Sequence, residues 1–564
     1  MRKLSLPDRP LEEQGAKIIV ARRIRTLDDA DTVASAMLVV NGLVAATGTL
    51  EQCRTAARRY TAVEPHVEDL GDAVIVPGFV DAHAHPLMLG QMMSWVDCGP
   101  EWAGSIPEIT ALLRDAAERT PAGLPVRGYG YEQRNLAEQR HPTRFELDEV
   151  ATDREVYLMN ASGHGGVVNS FTLATYGVTR DTPDPQGGEF FRDADGELTG
   201  ELSDAACNIL TGVRGVKIGH HGPNFHLGDA PEEHVRQLEA AQRNFLEGGV
   251  TAVGDCQVSS REFDTYLRLA ERGGLHLRVS MYLLSHLLDD ALDMGLHGAF
   301  GNAQLSFAGI KFYADGTLGG WTAYFPDGYI GDPCRTGQLY HEPAEYRALV
   351  AKAHRAGLQT ATHAQSPTAI EMVVSAIEAA QAADPRPDAR HRIEHCGLPT
   401  PEQIARMAAA GIRPVNQPQH YYNWGEGVEQ AIGTPGERFN PLGEFAREGV
   451  PVTISSDAPV AEPRPLEAIQ ASVTRVTRRG HRLGPDDLII DTVTALRGHT
   501  IEAARSIGRE DDLGSLQVGK RADFAVLAAD LDEVAPDAIG RITVLQTWVD
   551  GTVRHLAARE AVDA

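Results

Sequence analysis

The sequence is short of the features that mark membrane, secreted or nucleic-acid-binding proteins. Its six cysteines are scattered among 564 residues without close pairs, so neither a disulfide framework nor a CxxC zinc site is expected. No apolar run approaches the length of a membrane span. The opening MRKLSLPDRPLEEQG is basic at its start but has no apolar stretch behind the charge, so it does not read as a secretory signal. Basic runs of five or more residues are absent, and the net charge is −26. Nucleic acid and anionic membranes need clustered Lys and Arg, so neither is an expected partner. Cytoplasm is the expected compartment.

What is present is the composition of a soluble globular chain, 42% hydrophobic and 23% charged. Its length implies two or three domains. At the N-terminal end, residues 16–20 and Met37–Val40 read as strands, and Asn41-Gly42 turns the second into Leu43–Ala46. An Asn-Gly pair between apolar runs marks a hairpin, because both turn residues need positive φ. The C-terminal end has the same texture in Arg521–Leu527, Val544–Val549 and the turn Asp550-Gly551. Neither end holds many strands alone, so the two are expected to pair into one small domain.

The middle repeats a different unit: a helix, a glycine, then a short apolar strand. It occurs at 234–247 before Val250–Val253, at 344–356 before Leu358–Thr362, at 401–410 before Ile412–Val415, and at 441–448 before Val450–Ile454. This is the grammar of βα units on a parallel sheet. The fold class expected is α/β: a (β/α)8 TIM-like barrel, with a small composite β-sandwich domain from both termini. The expected division is 1–78 and 506–564 for that domain and 79–505 for the barrel, with a large insertion at about 88–233 after the first barrel strand. In such barrels chemistry collects where the strands end.

Those ends carry one kind of chemistry. In VPGFVDAHAHP, alternation puts Asp81, His83 and His85 on one face of a strand that Pro86 stops. A lone HxH is weak evidence, but other strands end alike: TATH in His363, HRIEH in His395, VTISSD in Asp457. FAGIKFYAD places Lys311 inside an apolar strand. Histidine and carboxylate are the usual ligands of a hydrolytic divalent metal. From the residues alone, Lys311 reads either as part of the same cluster or as an ordinary lysine paired with a buried acid such as Asp315.

The chain resembles the amidohydrolase superfamily of metal-dependent hydrolases from about residue 16 to 555. PGFVDAHAH, GIKFYADGTLGG, RHRIEHC, SSDAPV and GSLQVGKRADFAVL carry the likeness. PTRFELDEV, SGHGGVVNS and GGEFFRDADGELTGEL are similar to the branch that includes N-substituted formamide deformylases. The resemblance implies His83, His85, Lys311, His363, His395 and Asp457 as ligands of one or two divalent ions, zinc first, with Lys311 as a carbamate. It implies Asp457 as general base and acid, and His164 as donor to the substrate oxyanion. Tyr129, Gln133, Trp321, Gln419 and His420 are expected to line the substrate pocket. Two departures stand out: HAQSP at 363–367 where the branch shows HAIGD, and Gly320-Trp321 where it places Ser and Arg. The pocket is therefore expected to differ from that of better-known members, with Trp321 suggesting an apolar or aromatic substrate group.

The function expected is hydrolysis of a C–N bond in an amide-like small molecule: an N-substituted formamide, N-acyl amine, carbamate or cyclic amide. The alternatives are a mononuclear deaminase of a nitrogen heterocycle and a non-catalytic scaffold, which would show gaps in the ligand set. A homodimer is expected only by analogy with other such barrels.

Overall fold

The computed structural model describes residues 15–185, 187–211, 227 and 229–558. Its centre is a parallel sheet of eight strands: β1 (Phe79–Ala84), β2 (Val250–Val258), β3 (Arg278–Leu284), β4 (Leu305–Tyr313), β5 (Gln359–Ala364), β6 (Arg392–His395), β7 (Arg413–Asn416) and β8 (Thr453–Ile454). Each pairs with the next in chain order. No ladder joins β8 to β1. Instead Asp457 N–H donates to His83 O (2.9 Å) and His85 N–H to Ala458 O (2.8 Å), which nearly closes the barrel.

Small and apolar residues from six strands, Val80, Ala82, Ala252, Cys256, Tyr282, Ala308, Ala361 and Val415, pack with Ala503, Ala504 and Ile507. Part of the interior is thus filled with side chains, as barrels of this size require. A larger core lies between the strands and the surrounding helices, including Ile310, Phe312, Val373, Ile377 and Phe445. The repeated glycines end the helices as expected. Gly411, with φ 65°, follows Pro401–Ala410 in the left-handed conformation that glycine adopts without steric cost.

Strands from both ends of the chain form one eight-stranded sheet. Its order is Thr552–Leu556, Val544–Val549, Phe524–Leu527, Val74–Pro77, Lys17–Arg25, Val33–Val40, Leu43–Gly48, with His66–Asp69 also beside Lys17–Arg25. Asn41-Gly42 and Asp550-Gly551 make their hairpin turns with φ between 50° and 76° at all four residues. Between β1 and the helix Pro231–Glu247 lies a third, six-stranded sheet spanning Val96–Asp97 to Leu198–Asp204. Among the described residues no helix is long and apolar enough to cross a membrane.

Candidate metal centre and active site

β1 is buried along its whole length, and its His83 and the His85 just past its end bring two imidazoles to one carboxylate. His83 Nε2 lies 3.3 Å and His85 Nε2 3.1 Å from Asp457 Oδ1. The alternation is not regular, because the pairing of β1 with β2 shifts between Asp81 and Ala84. Asp81 serves the barrel seam instead. Its carboxylate accepts from Ser456 N–H (3.0 Å) and Ser456 Oγ–H (2.5 Å), tying β1 to the segment after β8. Pro86 opens the helix Pro86–Met92, a position where its missing N–H costs nothing.

The other histidines are aimed by backbone turns and by hydrogen bonds on their far nitrogens. In β6 the alternate residues Arg392 and Glu394 form a buried, two-pronged ion pair with both contacts at 2.7 Å. His395 then takes φ 67° and Cys396 φ 42°, conformations rare for such residues, and the chain leaves the strand there. His395 Nδ1 is held by Gln417 Oε1 at 2.8 Å, and His363 Nε2 by Gly316 O at 3.0 Å. Asp457 has φ 61°, so β8 forms a ladder over only two residues before the carboxylate turns into the barrel mouth. Backbone strain of this kind concentrates at functional sites.

His83 Nδ1 sits 2.5 Å from Glu394 Oε2, so this carboxylate fixes the ring with Nε2 toward Asp457. A histidine donating its second nitrogen to a carboxylate is the usual arrangement behind a metal ligand. The rings of His83, His395 and His363 follow one another at centroid separations of 5.0 and 4.4 Å.

Charge in the site is set by burial. Burial, with the nearby Lys311 charge, lowers His83 to about 4, and burial holds His363 and His395 well below the ordinary imidazole range. Neutral imidazoles are the form that binds a cation. Burial alone would raise Asp457, but the surrounding imidazoles of His83, His85 and His395 hold it well below the usual carboxylate range. Lys311 is fully buried, and burial lowers its ammonium pKa. Its Nζ has no hydrogen-bond partner among the described residues.

The alternative that pairs Lys311 with Asp315 does not hold. The Asp315 carboxylate accepts from the N–H groups of Gln365, Ser366 and Tyr324, at 2.9 to 3.2 Å. Lys311 Nζ instead faces the Tyr313 ring, 4.7 Å from its centroid.

These residues fit a divalent cation. His83 Nε2, His85 Nδ1, His420 Nε2 and Lys311 Nζ are all buried without a hydrogen-bond partner among the described residues, a state that native proteins rarely leave uncompensated. Ligand atoms of His83, His85 and Asp457 lie within 4.8 Å of one another, as do those of His395, His420 and Asp457. The two groups share the Asp457 carboxylate.

The sequence profile described as "Amidohydrolase family" matches residues 66–555. The chain belongs to the amidohydrolase family. It is 30% identical to the N-substituted formamide deformylase of Arthrobacter pascens, over 95% of this chain and 98% of that one. It is 29% identical to the protein LONG AFTER FAR-RED 3 of Arabidopsis thaliana, over 86% and 82%. A crystal structure of an uncharacterized metal-dependent hydrolase from Pyrococcus horikoshii superposes with a TM-score of 0.74, covering 93% of this chain and 99% of that one. At 24% identity that likeness speaks for the fold.

In this amidohydrolase one cleft, with about 640 Å³ of empty space counting its open mouth, is lined by His83, His85, Lys311, His363, His395 and Asp457, together with His164 and His420. His164 Nδ1 contacts the buried Asp204 carboxylate at 2.8 Å. Gln133 lines an adjoining cavity and accepts from Asn160 Nδ2 at 2.9 Å.

The other three pocket candidates do not line this cavity. Gln419 is turned away, its amide donating to Glu462 O (3.0 Å), because its helix Pro418–Ile432 packs against that segment. Tyr129 packs against the core of the inserted sheet. Trp321 stacks on Tyr329 at 5.4 Å, so the apolar surface expected to meet substrate is covered by a neighbouring ring.

Sequence reasoning missed Glu394 and Arg392, which lie inside the quoted RHRIEHC, where alternation alone would have placed both on one face. It also missed Glu132, Gln257, Thr317 and Trp424, which line the cavity from outside the strand-end motifs.

Proposed function

We propose that this amidohydrolase hydrolyses a C–N bond of an amide-like small molecule: an N-substituted formamide, an N-acyl amine, a carbamate or a cyclic amide. The observation that carries the reading is the single carboxylate of Asp457, set 3.1 to 3.9 Å from nitrogens of His83, His85, His395 and His420. The similarity to a formamide deformylase over nearly the whole chain supports the bond type.

His83, His85, Lys311, His363, His395 and Asp457 would hold one or two divalent ions, zinc first. Such an ion acidifies water and polarises a carbonyl oxygen. The rest falls to the chain. Asp457, kept ionised, accepts a proton from the attacking water as its oxygen bonds to the carbonyl carbon. It returns that proton to the nitrogen as the C–N bond breaks, giving an acid and an amine. His164 spends Nδ1 on Asp204, so Nε2 donates to the developing oxyanion only from the doubly protonated ring, for which Asp204 is the counter-charge. The buried, unpartnered Lys311 amine suits addition to CO₂: nitrogen bonds carbon, a proton leaves, and the resulting carboxylate can serve two ions.

The test is a panel of formamides, N-acyl amines and lactams with wild type and Asp457→Asn. Wild type should turn over at least one class, and the variant should lose about 10²-fold or more, the range of general acid–base catalysis. Equal rates in the two proteins would exclude the role given to Asp457. Lys311→Ala retaining both metal and activity would exclude the carbamate.

A further inference from the structure

A second cavity, with about 360 Å³ of empty space, adjoins the metal-centre cavity. Ser162 and His164 line both, so the two cavities meet at these residues. A substrate whose reacting carbonyl meets His164 therefore lies beside this second space.

The lining is polar in a specific way. Arg335 is fixed by Nε to Trp321 O (3.3 Å) and Nη2 to Gly320 O (3.0 Å), while Nη1 makes no hydrogen bond among the described residues. The Gly320-Trp321 pair thus contributes its carbonyls here rather than an indole wall. Glu201 comes from the strand Leu198–Asp204. Its side chain is 19% exposed, and His141 Nε2, on a ring that burial keeps neutral, stands 3.6 Å from it, beyond hydrogen-bond reach. The other nitrogen of His141 is engaged by Tyr131 OH at 2.7 Å. Burial raises Glu201 to about 7, as expected of a shielded carboxylate short of donors. A guanidinium N–H without an acceptor and a carboxylate without a donor thus face one small cavity.

We propose that this cavity is the subsite for the substrate's substituent, and that Glu201 and Arg335 select a substituent ending in a polar amide-like group. An N–H of that group donates to Glu201, and its carbonyl accepts from Arg335 Nη1. An apolar substituent of the same shape leaves both protein groups unpaired, which is the strongest basis for discrimination between isosteres. The inference rests on the hydrolase reading above and narrows its substrate class.

The test uses metal-loaded protein and two chelating hydroxamates whose tails have equal length, one ending in a carboxamide and the other in an isopropyl group. Binding is followed by calorimetry, so no turnover is needed. Acetohydroxamate, which has no tail, calibrates the metal centre in each protein. Wild type should bind the carboxamide tail at least about 10-fold more tightly than the isopropyl tail. Glu201→Leu should erase that ratio, and Glu201→Gln, which keeps an acceptor oxygen, should retain part of it. Equal binding of the two tails by wild type, or an unchanged ratio in Glu201→Leu, overturns the subsite. Failure of wild type to bind any hydroxamate, acetohydroxamate included, overturns the metal-centre reading itself.

Discussion

Three of the ligand candidates, His83, His363 and His395, are oriented by residues that would never touch the metal. His83 is aimed by Glu394, Glu394 is held by Arg392, and Arg392 also donates to Tyr282 OH at 2.7 Å and Ala82 O at 2.9 Å. All of this is buried. Arg392 keeps Glu394 ionised against the upward push of burial, so a full negative charge backs the His83 ring. Glu394→Gln should therefore weaken metal binding by about 10–100-fold, the usual cost of losing such a partner. It should also destabilise the fold, because Arg392 is left as a buried charge without its counter-ion. Metal titration and urea unfolding of the same variant separate the two effects. A variant with wild-type metal affinity would show that Glu394 does not orient His83.

Elements rather than single residues decided what could be read in advance. The barrel was legible because each helix, glycine and apolar strand repeats one local pattern, and five of the six ligand candidates sit at or just past a strand end. Lys311 was legible as a charge in an apolar strand, although its lack of a partner was not. The substrate wall was less legible, since Gln419, Tyr129 and Trp321 are directed by packing between distant segments. Gln419 bonds to Glu462 O, and Trp321 to nothing through Nε1 while its face meets Tyr329. Contacts between elements follow the same logic. β3 begins with Arg278, wholly buried, which bonds Asp523 through Nε and Nη2 and Asp550 through Nη2 at 2.5 to 2.9 Å. This joins the barrel to the sheet built from the chain ends. Arg278→Met should cost about 3–5 kcal/mol by stranding Asp523 as a buried charge, while metal content stays at the wild-type level. Urea unfolding alongside elemental analysis checks both parts. Loss of metal with unchanged stability would contradict this division of labour.

At the scale of the whole molecule, three sheets divide the work. The sheet from the two chain ends braces the barrel, the barrel strands converge on Asp457, and the inserted segment brings His164 to the metal-centre cavity and Glu201 to the cavity beside it. All of it presupposes a cation where those strands end. The most direct test is the metal content of purified wild type and of the double variant His83→Ala/His85→Ala, set beside amide hydrolysis by the same preparations. Wild type should carry one or two divalent ions per chain, and the double variant should lose metal and turnover together while remaining folded by circular dichroism. Metal-free wild type that still hydrolyses amides, or a double variant with unchanged metal and turnover, would contradict the account.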